Sequence, residues 1–390
     1  MLNRRVLLAN AGAASIFAAS GGMPLRAWSQ ANPTPEMIVH RGFPLNAEPR
    51  SAKLAASFIT AQPDFYIRCH GTIPQIAAGD YKLKVGGQGA TTPFELSLSE
   101  MRSRFPERKV TAVMQCAGNR RSDMAEVKHV SGDGWGPGAI SNAEWSGVAL
   151  ADVLKAAGAP DDSKLHVAFA CHDDVEEDGE RFKFGVSIPM PKAIAPETIL
   201  AFAMNGEPLT AEHGFPVRVV VPGFAGVRSP KWLASITVQD SPSDSPIQAK
   251  NYKLFPPSMT KETVDFAQGV TIDDMPLNSA ICEPAEGAKI AAGPVAVRGY
   301  AIATGRPIVR VDVSADEGKT WLQADLDRHA DAPWSWTLWS TKLDLPKGEH
   351  ELVVRAWDAA GDTQSSSMAE IWNFPGYLST ACHRVKVQFG

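Results

Sequence analysis

The chain has 390 residues, of which 44% are hydrophobic, and its 38 Lys and Arg against 43 Asp and Glu leave a formal net charge of -5. This length and apolar content suffice to bury sizeable cores and indicate two domains. The charge balance disfavours a nucleic-acid-binding surface, because binding to phosphate backbones requires clustered Lys and Arg in excess.

The first 30 residues have the pattern of an export signal. Arg4 and Arg5 precede a weakly apolar, Ala-rich run, and the small residues around Trp28 offer a cleavage site near position 29. Residues 1–30 therefore predict a twin-arginine export signal and a periplasmic location, with an ordinary secretion signal as the alternative. The run is shorter than the roughly 18 to 20 apolar residues of a transmembrane helix, so we expect no membrane span in the mature protein.

Two regions of different pattern follow, at residues 40–255 and 262–390. The first mixes strands such as "KVTAVMQC" and "FPVRVVVPG" with the helical spacing of "NAEWSGVALADVLKAAGA", where Asn142 is a possible N-cap. The second alternates apolar and polar residues, as in "PIVRVDVSADEGKTW" and "HELVVRAWDAAGD", which is typical of a β-sandwich. The Ser- and Pro-rich segment 239–260 is the predicted linker.

Cysteine usage limits the possible redox chemistry. The five cysteines are Cys69, Cys116, Cys171, Cys282 and Cys382. Because their number is odd, at least one is unpaired within the chain. Their spacings do not suit a zinc site, and no C-x-x-C-H motif occurs, so we expect no haem in this chain.

Cys116 occupies a distinctive local position. The strand "KVTAVMQC" is predicted to end there, and Ala117 and Gly118 allow a sharp turn that brings backbone close to a ligand. A strand end of this kind commonly presents a reactive side chain. The local pattern alone also allows a buried structural cysteine.

Five motifs stand out along the chain: "DFYIRCHGTIP", "MQCAGNRR", "HDD" at 172–174, "MNGEPLTAEHGFPVRVVVPGFAGVRSPKWL" and "NYKLFPP". Together, and in this order, they resemble the motifs of the sulfite oxidase family of molybdenum enzymes. The resemblance is nearest to its haem-free, exported bacterial branch. It implies an α+β fold: a mixed α/β molybdopterin-binding domain at 40–255, followed by an immunoglobulin-like β-sandwich dimerisation domain at 262–390.

The resemblance also implies a site. Cys116 would ligate molybdenum through a soft thiolate. The implied cofactor-binding residues are Tyr66, Ile67, Arg68, Cys69, His70, Asp173, His213, Arg218, Ser229 and Lys231. The implied catalytic residues are Cys116, Arg68, His70, Tyr252 and Arg384. Cys69 departs from the family pattern, which has asparagine there, and this replaces a strong hydrogen-bonding amide by a weak donor.

The function implied is oxidation of sulfite to sulfate by oxygen-atom transfer, with molybdenum and molybdopterin as cofactor and a separate c-type cytochrome as electron acceptor. A homodimer is expected, and Trp334, Trp336 and Trp339 of "PWSWTLW" are candidates for a sandwich core or an interface. The alternatives are a molybdopterin sulfoxide or nitrate reductase, a sulfane dehydrogenase subunit and, from another class, a secreted binding protein with an immunoglobulin-like sandwich.

Overall fold

The computed structural model describes Pro33, Thr34 and residues 36–390. The predicted export signal at 1–30 lies outside the described residues. Within them, no helix is long enough and apolar enough to span a bilayer.

The first half of the chain is built mainly from strands, with short helices between them. Its strands are β1 (Met37–Arg41), β2 (Asn46–Pro49), β3 (Ile67–Arg68), β4 (Leu83–Gly87), β5 (Phe94–Leu96), β6 (Glu107–Gln115), β7 (Ile140–Ala149), β8 (His166–Glu177), β9 (Glu180–Pro189), β10 (Ile199–Met204), β11 (Glu207–Pro208), β12 (Arg218–Val220) and β13 (Leu233–Gln239). Its helices are α1 (Ser51–Leu54), α2 (Leu98–Arg104), α3 (Arg121–Val127), α4 (Leu150–Ala156) and α5 (Met190–Ala193), with 3-10 turns at Gln62–Asp64 and Gly226–Arg228.

These strands form three sheets. The orders are β1-β2-β3, β5-β4-β13-β8-β9, and β11-β10-β7-β6 with β12 also paired to β10. The core between the two five-stranded sheets includes Leu83, Val148, Val167, Leu200 and Val219, all fully buried, whereas β1-β2-β3 packs in a separate small core. Helix α2 begins with a capping box, in which Ser97 Oγ accepts from Glu100 N at 3.2 Å and the Glu100 carboxylate accepts from Ser97 N at 2.8 Å.

The second half is a β-sandwich. It is preceded by helix α6 (Pro246–Ala249), whose Ile247 packs in the apolar core of the first half, and by strands β14 (Lys253–Leu254) and β15 (Val270–Thr271), with a 3-10 turn at Phe266–Gln268. The sandwich comprises strands β16 (Asn278–Glu283), β17 (Ala288–Ile290), β18 (Gly293–Ile302), β19 (Ile308–Ser314), β20 (Leu322–Gln323), β21 (Asp325–Asp327), β22 (Thr337–Leu345) and β23 (Gly348–Asp358), helix α7 (Met368–Ile371) and strand β24 (His383–Phe389). The two main sheets have the orders β16-β18-β22-β21 and β17-β24-β23-β19-β20, and a small third sheet pairs β14 with β15. The predicted α+β class, with a mixed first half and a sandwich second half, is confirmed.

One local prediction is wrong. The segment from Asn142 was predicted as a helix, but Ile140–Ala149 is strand β7, and the helix α4 begins only at Leu150. Asn142 does not cap a helix; its side-chain amide donates to Phe58 O at 2.9 Å. The reason is tertiary: β7 lies between β6 and β10, and ladder pairing on both sides outweighs the helical spacing.

The two halves share a core and hydrogen bonds. Val113 N donates to Trp334 O at 3.0 Å, and Ser51 Oγ donates to Cys282 O at 2.8 Å. Trp336 packs with residues of both halves, whereas Trp339 lies in the sandwich core. The tryptophans of "PWSWTLW" are therefore used within the chain, Trp334 packing partly buried against the first half.

His383 is expected to make the free energy of unfolding depend on pH. Its Nδ1 accepts from Ile281 N at 3.0 Å inside the sandwich, and burial, with the nearby Arg120, lowers its pKa to about 4. The unfolded chain, with a pKa of about 6.5 at this residue, takes up a proton that the folded chain resists, so lowering the pH from about 7 to about 4 costs about 3 kcal/mol. We expect His383→Gln to lose this part of the pH dependence in urea unfolding. If the free energy of unfolding changes between about pH 7 and about pH 4 as much in His383→Gln as in the parent, the prediction is contradicted.

Candidate active site

A cavity in the first half gathers residues that are distant in the sequence. Strand β3 contributes Arg68, the end of β6 contributes Cys116, β8 contributes Asp173, and β12 contributes Arg218. The full lining of this inner cavity is Phe65, Tyr66, Arg68, Cys69, His70, Met114, Cys116, Asp173, Phe184, His213, Arg218, Gly226, Val227, Ser229, Pro230, Lys231, Trp232 and Tyr252. All the predicted site residues except Ile67 and Arg384 are therefore brought together.

Cys116 follows directly on β6, as predicted, and its loop is held by backbone hydrogen bonds. Its N donates to Ala139 O at 2.9 Å, and Asn119 N donates to the Cys116 carbonyl at 3.0 Å. Gly118 N points at the Sγ from 3.4 Å. All five cysteines lie in the described part of the chain and are free and buried, so Cys116 is available as a thiol ligand.

A buried arginine and a half-buried lysine line the inner cavity. The Arg218 guanidinium donates to His213 O at 3.1 Å and to Ser229 O at 2.9 Å, and burial lowers its pKa to about 10. Lys231 Nζ donates to Glu212 O at 2.7 Å, and burial likewise lowers its pKa. Their position suits an anionic ligand such as a phosphate group.

The remaining polar groups of the cavity are only partly satisfied. Asp173 is 3% exposed and its Oδ1 has no hydrogen-bond partner among the described residues; burial raises its pKa to about 7. Burial and the charges of Lys231 and Arg218 lower the pKa of His213 to about 3, so its ring is neutral. Ser229 Oγ accepts from Val221 N at 2.9 Å.

This donor set fits a molybdopterin cofactor. It combines one soft sulfur, the buried Arg218 and half-buried Lys231 for a phosphate, and an Asp173 carboxyl oxygen without a partner that can accept from a polar ring. Gly226 supports the fit, because a Cβ there would lie 2.7 Å from Tyr66 Oη and narrow the cavity. No group of three or more His, Cys, Asp or Glu side chains suited to a metal converges within the described residues.

An outer cavity of about 360 Å³ continues from the inner one. Arg68, His70, Cys116 and Tyr252 line both cavities. The outer cavity adds charged residues of both signs: Arg41, Arg121, Asp133, Glu176, Glu177, Asp178, Lys250, Lys253 and Lys261. The shared residues mark where a ligand of the outer cavity would meet one in the inner cavity.

Arg121 is a pocket residue that the sequence reasoning missed. The side chain is only 6% exposed, and it is held by hydrogen bonds from Nη1 to Asp133 O at 3.0 Å and from Nε to Pro375 O at 3.1 Å. A Cβ on Gly118, Gly132 or Gly376 would lie 2.5, 2.8 or 2.6 Å from this side chain. The available signal was the Arg120–Arg121 pair, which begins four residues after Cys116, since a charged residue in a buried loop must find partners.

Tyr252 is held in a strained conformation against His70. Its φ of 51° is left-handed, a region that a bulky residue adopts only where the surroundings enforce it. Tyr252 Oη and His70 Nε2 form a hydrogen bond of 2.7 Å, and the Tyr252 ring stacks on Tyr377 at 5.2 Å. Burial, with Arg68 and Lys231, lowers the pKa of His70 well below its usual range, so the pair is neutral in the absence of a ligand.

Two predicted residues lie elsewhere. The placement of Arg384 in the substrate pocket is wrong: on β24 the buried His383 and Val385 point inward, so strand alternation directs Arg384 to the opposite face, where it pairs with Glu351. Ile67 does not line the cavity either, because its side chain packs into a small core with Cys69 and Trp232.

Comparison with known families and proteins agrees with this geometry. The family model described as the oxidoreductase molybdopterin binding domain matches residues 70–247, and that of the Mo-co oxidoreductase dimerisation domain matches residues 270–390. Sulfite oxidase of Arabidopsis thaliana is 38% identical over 380 residues, covering 91% of this chain and 95% of the plant protein. The chain belongs to the sulfite oxidase family.

Other family members differ from this chain in length. Mitochondrial sulfite oxidase of Homo sapiens is 42% identical over 362 residues, covering 90% of this chain, which spans 66% of the human protein's length. Sulfite oxidase of Gallus gallus is 43% identical, covering 90% of this chain and 77% of the avian protein.

The fold is also shared with a solved structure. The sulfane dehydrogenase SoxCD from Paracoccus pantotrophus matches 95% of this chain with a TM-score of 0.77 and 25% sequence identity, and 93% of that chain is covered. The shared fold therefore extends across nearly all of the protein.

Proposed function

We propose that the protein oxidises sulfite to sulfate with a molybdenum cofactor held in the inner cavity. The observation that carries the proposal is the position of Cys116, whose thiol lines both cavities beside Arg68 and Tyr252. When bound, the cofactor supplies two-electron oxygen-atom transfer. Cys116 would ligate the metal, and Arg218, Lys231 and Asp173 would hold the pterin.

The protein's own contribution is to bind and orient the anion. Arg68 and Arg121 place two guanidinium groups beside Cys116, so the pocket is locally positive although the chain carries a net charge of -5. Guanidinium groups suit an oxyanion because their parallel N–H donors can bind two of its oxygens. Tyr252 adds a neutral hydroxyl, since burial raises its pKa.

The direct test is a sulfite assay with ferricyanide on molybdenum-loaded and molybdenum-free protein. Sulfate formation that tracks the molybdenum content supports the proposal. Equal activity without molybdenum would exclude it, and loaded protein inactive on sulfite would exclude sulfite as substrate.

Tyr252→Phe is expected to lower kcat/KM for sulfite about tenfold, because it removes one hydrogen-bonding group of the pocket. The matched control is Tyr81→Phe, whose hydroxyl is equally buried and donates to Leu233 O at 2.8 Å away from the cavity lining. The control should keep native kinetics. Equal loss in both variants would mean that the effect is structural, and no loss in either would remove Tyr252 from the substrate site.

We further propose a separate c-type cytochrome as the electron acceptor, because the chain contains no C-x-x-C-H motif. Stopped-flow mixing of sulfite-reduced protein with such a cytochrome should show rapid haem reduction. Sulfite-driven oxygen consumption with hydrogen peroxide formation, and no haem reduction, would instead identify oxygen as the acceptor.

The cellular setting and assembly are proposals of the same kind. The Arg4–Arg5 pair supports export to the periplasm. We assign cofactor binding to residues 40–255 and pairing of two chains to residues 262–390, supported by the match of the dimerisation-domain family to 270–390. Light scattering at micromolar concentration should give the mass of two chains.

A sulfane sulfur substrate is the second candidate. It is favoured by the structural match to SoxCD and by an outer cavity of about 360 Å³, which exceeds the needs of a small anion. Parallel assays with sulfite and with thiosulfate distinguish the two, since a sulfite enzyme should prefer sulfite in kcat/KM.

A further inference from the structure

The loop that carries Cys116 is held by hydrogen bonds from both halves of the chain, and several of its side-chain bonds reach the second half. Leu378 N donates to Ala117 O at 2.8 Å, directly after the cysteine. Asn119 Nδ2 donates to Tyr300 Oη at 2.9 Å, and Tyr300 Oη donates in turn to Pro137 O at 3.0 Å. The ligand loop is therefore tied to strand β18 and to the segment before β24.

Arg120 is the most deeply buried member of this loop. It is 0% exposed, with a left-handed φ of 63°. Its Nε donates to Asp123 Oδ2 at 2.8 Å, while its Nη1 donates across the domain boundary to Asn278 Oδ1 at 2.9 Å and to Ser279 O at 3.0 Å. A buried guanidinium with these partners is expensive to displace, so it defines one position for the loop.

Neither Asn119 nor Arg120 lines the inner or the outer cavity. Their neighbours on the loop do: Cys116 lines both cavities and Arg121 lines the outer one. Arg121 is itself held by Pro375 O and Gly376 O, again from the second half. The contacts of Asn119 and Arg120 therefore support Cys116 and Arg121 from the side of the loop that faces away from the cavities.

We propose that Asn119, Arg120, Tyr300 and Asn278 form an interdomain clamp, whose function is to position Cys116 and Arg121. These four are positioning residues, which act on the reaction only through the loop. The sandwich half is then part of the active site's support and not solely a surface for pairing. The proposal deepens the proposed function, and only its kinetic test with sulfite rests on that function.

The first measurement does not involve turnover. In full-length protein purified without the cofactor, the rate at which iodoacetamide alkylates Cys116 is followed by mass spectrometry of its peptide. Tyr300→Phe removes only the hydroxyl that holds Asn119, and we expect about a five- to tenfold faster alkylation of Cys116 because the loop opens more often. The alkylation rate of Cys171, which packs in the core of the first half, should not change.

Ser51→Ala is the matched control. It removes another hydrogen bond between the halves, from Ser51 Oγ to Cys282 O, without touching the loop. Its Cys116 alkylation rate should stay within about twofold of the parent. Equal acceleration in both variants, or acceleration of every cysteine in Tyr300→Phe, would reduce the clamp to ordinary interdomain stability and overturn the proposal.

Arg120 variants provide the second measurement. Arg120→Met removes the hydrogen bonds from Arg120 to Asn278 and Ser279, whereas Arg120→Lys keeps the charge and one donor. We therefore expect Cys116 to be alkylated more slowly in Arg120→Lys than in Arg120→Met. If Arg120→Met does not fold, Tyr300→Phe and Arg120→Lys carry the test.

In loaded enzyme the same variants should raise the KM for sulfite through Arg121, with the metal content unchanged. If Cys116 is alkylated at the native rate in folded Tyr300→Phe and Arg120→Lys, the clamp is refuted, even if sulfite is the substrate. If alkylation is faster but the loaded enzyme is inactive on sulfite, only the proposed reaction is refuted.

Discussion

Cys116→Ser is expected to lower sulfite oxidation by more than about 100-fold, because loss of even an outer-shell partner of a metal typically costs 10- to 100-fold. Serine replaces a soft thiolate by a hard, poorly ionised hydroxyl. The loop should keep its shape, since its hydrogen bonds to Ala139 and Asn119 are made by backbone atoms. The measurements are kcat with ferricyanide and the molybdenum content of the purified protein.

The matched control is Cys382→Ser. This cysteine is also buried and free, and a serine hydroxyl there would find an acceptor near Gln364 O, which lies 4.0 Å from the native Sγ. It should retain native turnover. Near-native turnover in Cys116→Ser would exclude the assignment of Cys116 as ligand, whatever the behaviour of the control.

Arg121→Gln is expected to raise the KM for sulfite about 10- to 100-fold, with a smaller effect on kcat. A charge-assisted hydrogen bond is worth about 1.5 to 3 kcal/mol, which corresponds to this range. The charge acts with little screening, since the side chain is enclosed by Gly118, Gly132 and Gly376. Michaelis–Menten kinetics with sulfite, with thermal unfolding to check the fold, provide the measurement.

Arg41→Gln is the control for that prediction. Arg41 lines the same outer cavity and pairs with Asp133 at 2.8 Å, but its side chain is 48% exposed. Surface ion pairs contribute about 0 to 1 kcal/mol, so the KM should change less than about fivefold. Equal effects of the two variants would mean that only the general charge of the cavity matters and not the position of Arg121.

Much of the architecture was accessible from the sequence because it depends on local pattern. Strand β6 ends at Gln115, directly before the predicted turn at Cys116, and the alternation in "PIVRVDVS" became strand β19. These patterns are local, since apolar residues at a period of two define a half-buried strand without reference to its partners. The ordered motifs likewise identified residues that meet in the inner cavity, such as Arg68, Asp173 and Arg218.

The sequence determined which chemical groups are present; the tertiary structure decided which of them face the pocket. The "NAEWSGVA" segment has helical spacing, yet it became a strand because β6 and β10 pair with both of its edges, and those partners are remote in sequence. The sequence motifs predicted Arg384 as a pocket cation and missed Arg121. Strand alternation turns Arg384 outward to Glu351, whereas the second half buries Arg121 beside Cys116. The cost of burying a guanidinium depends on the carbonyls that surround it, and these come from chain segments that only folding brings together.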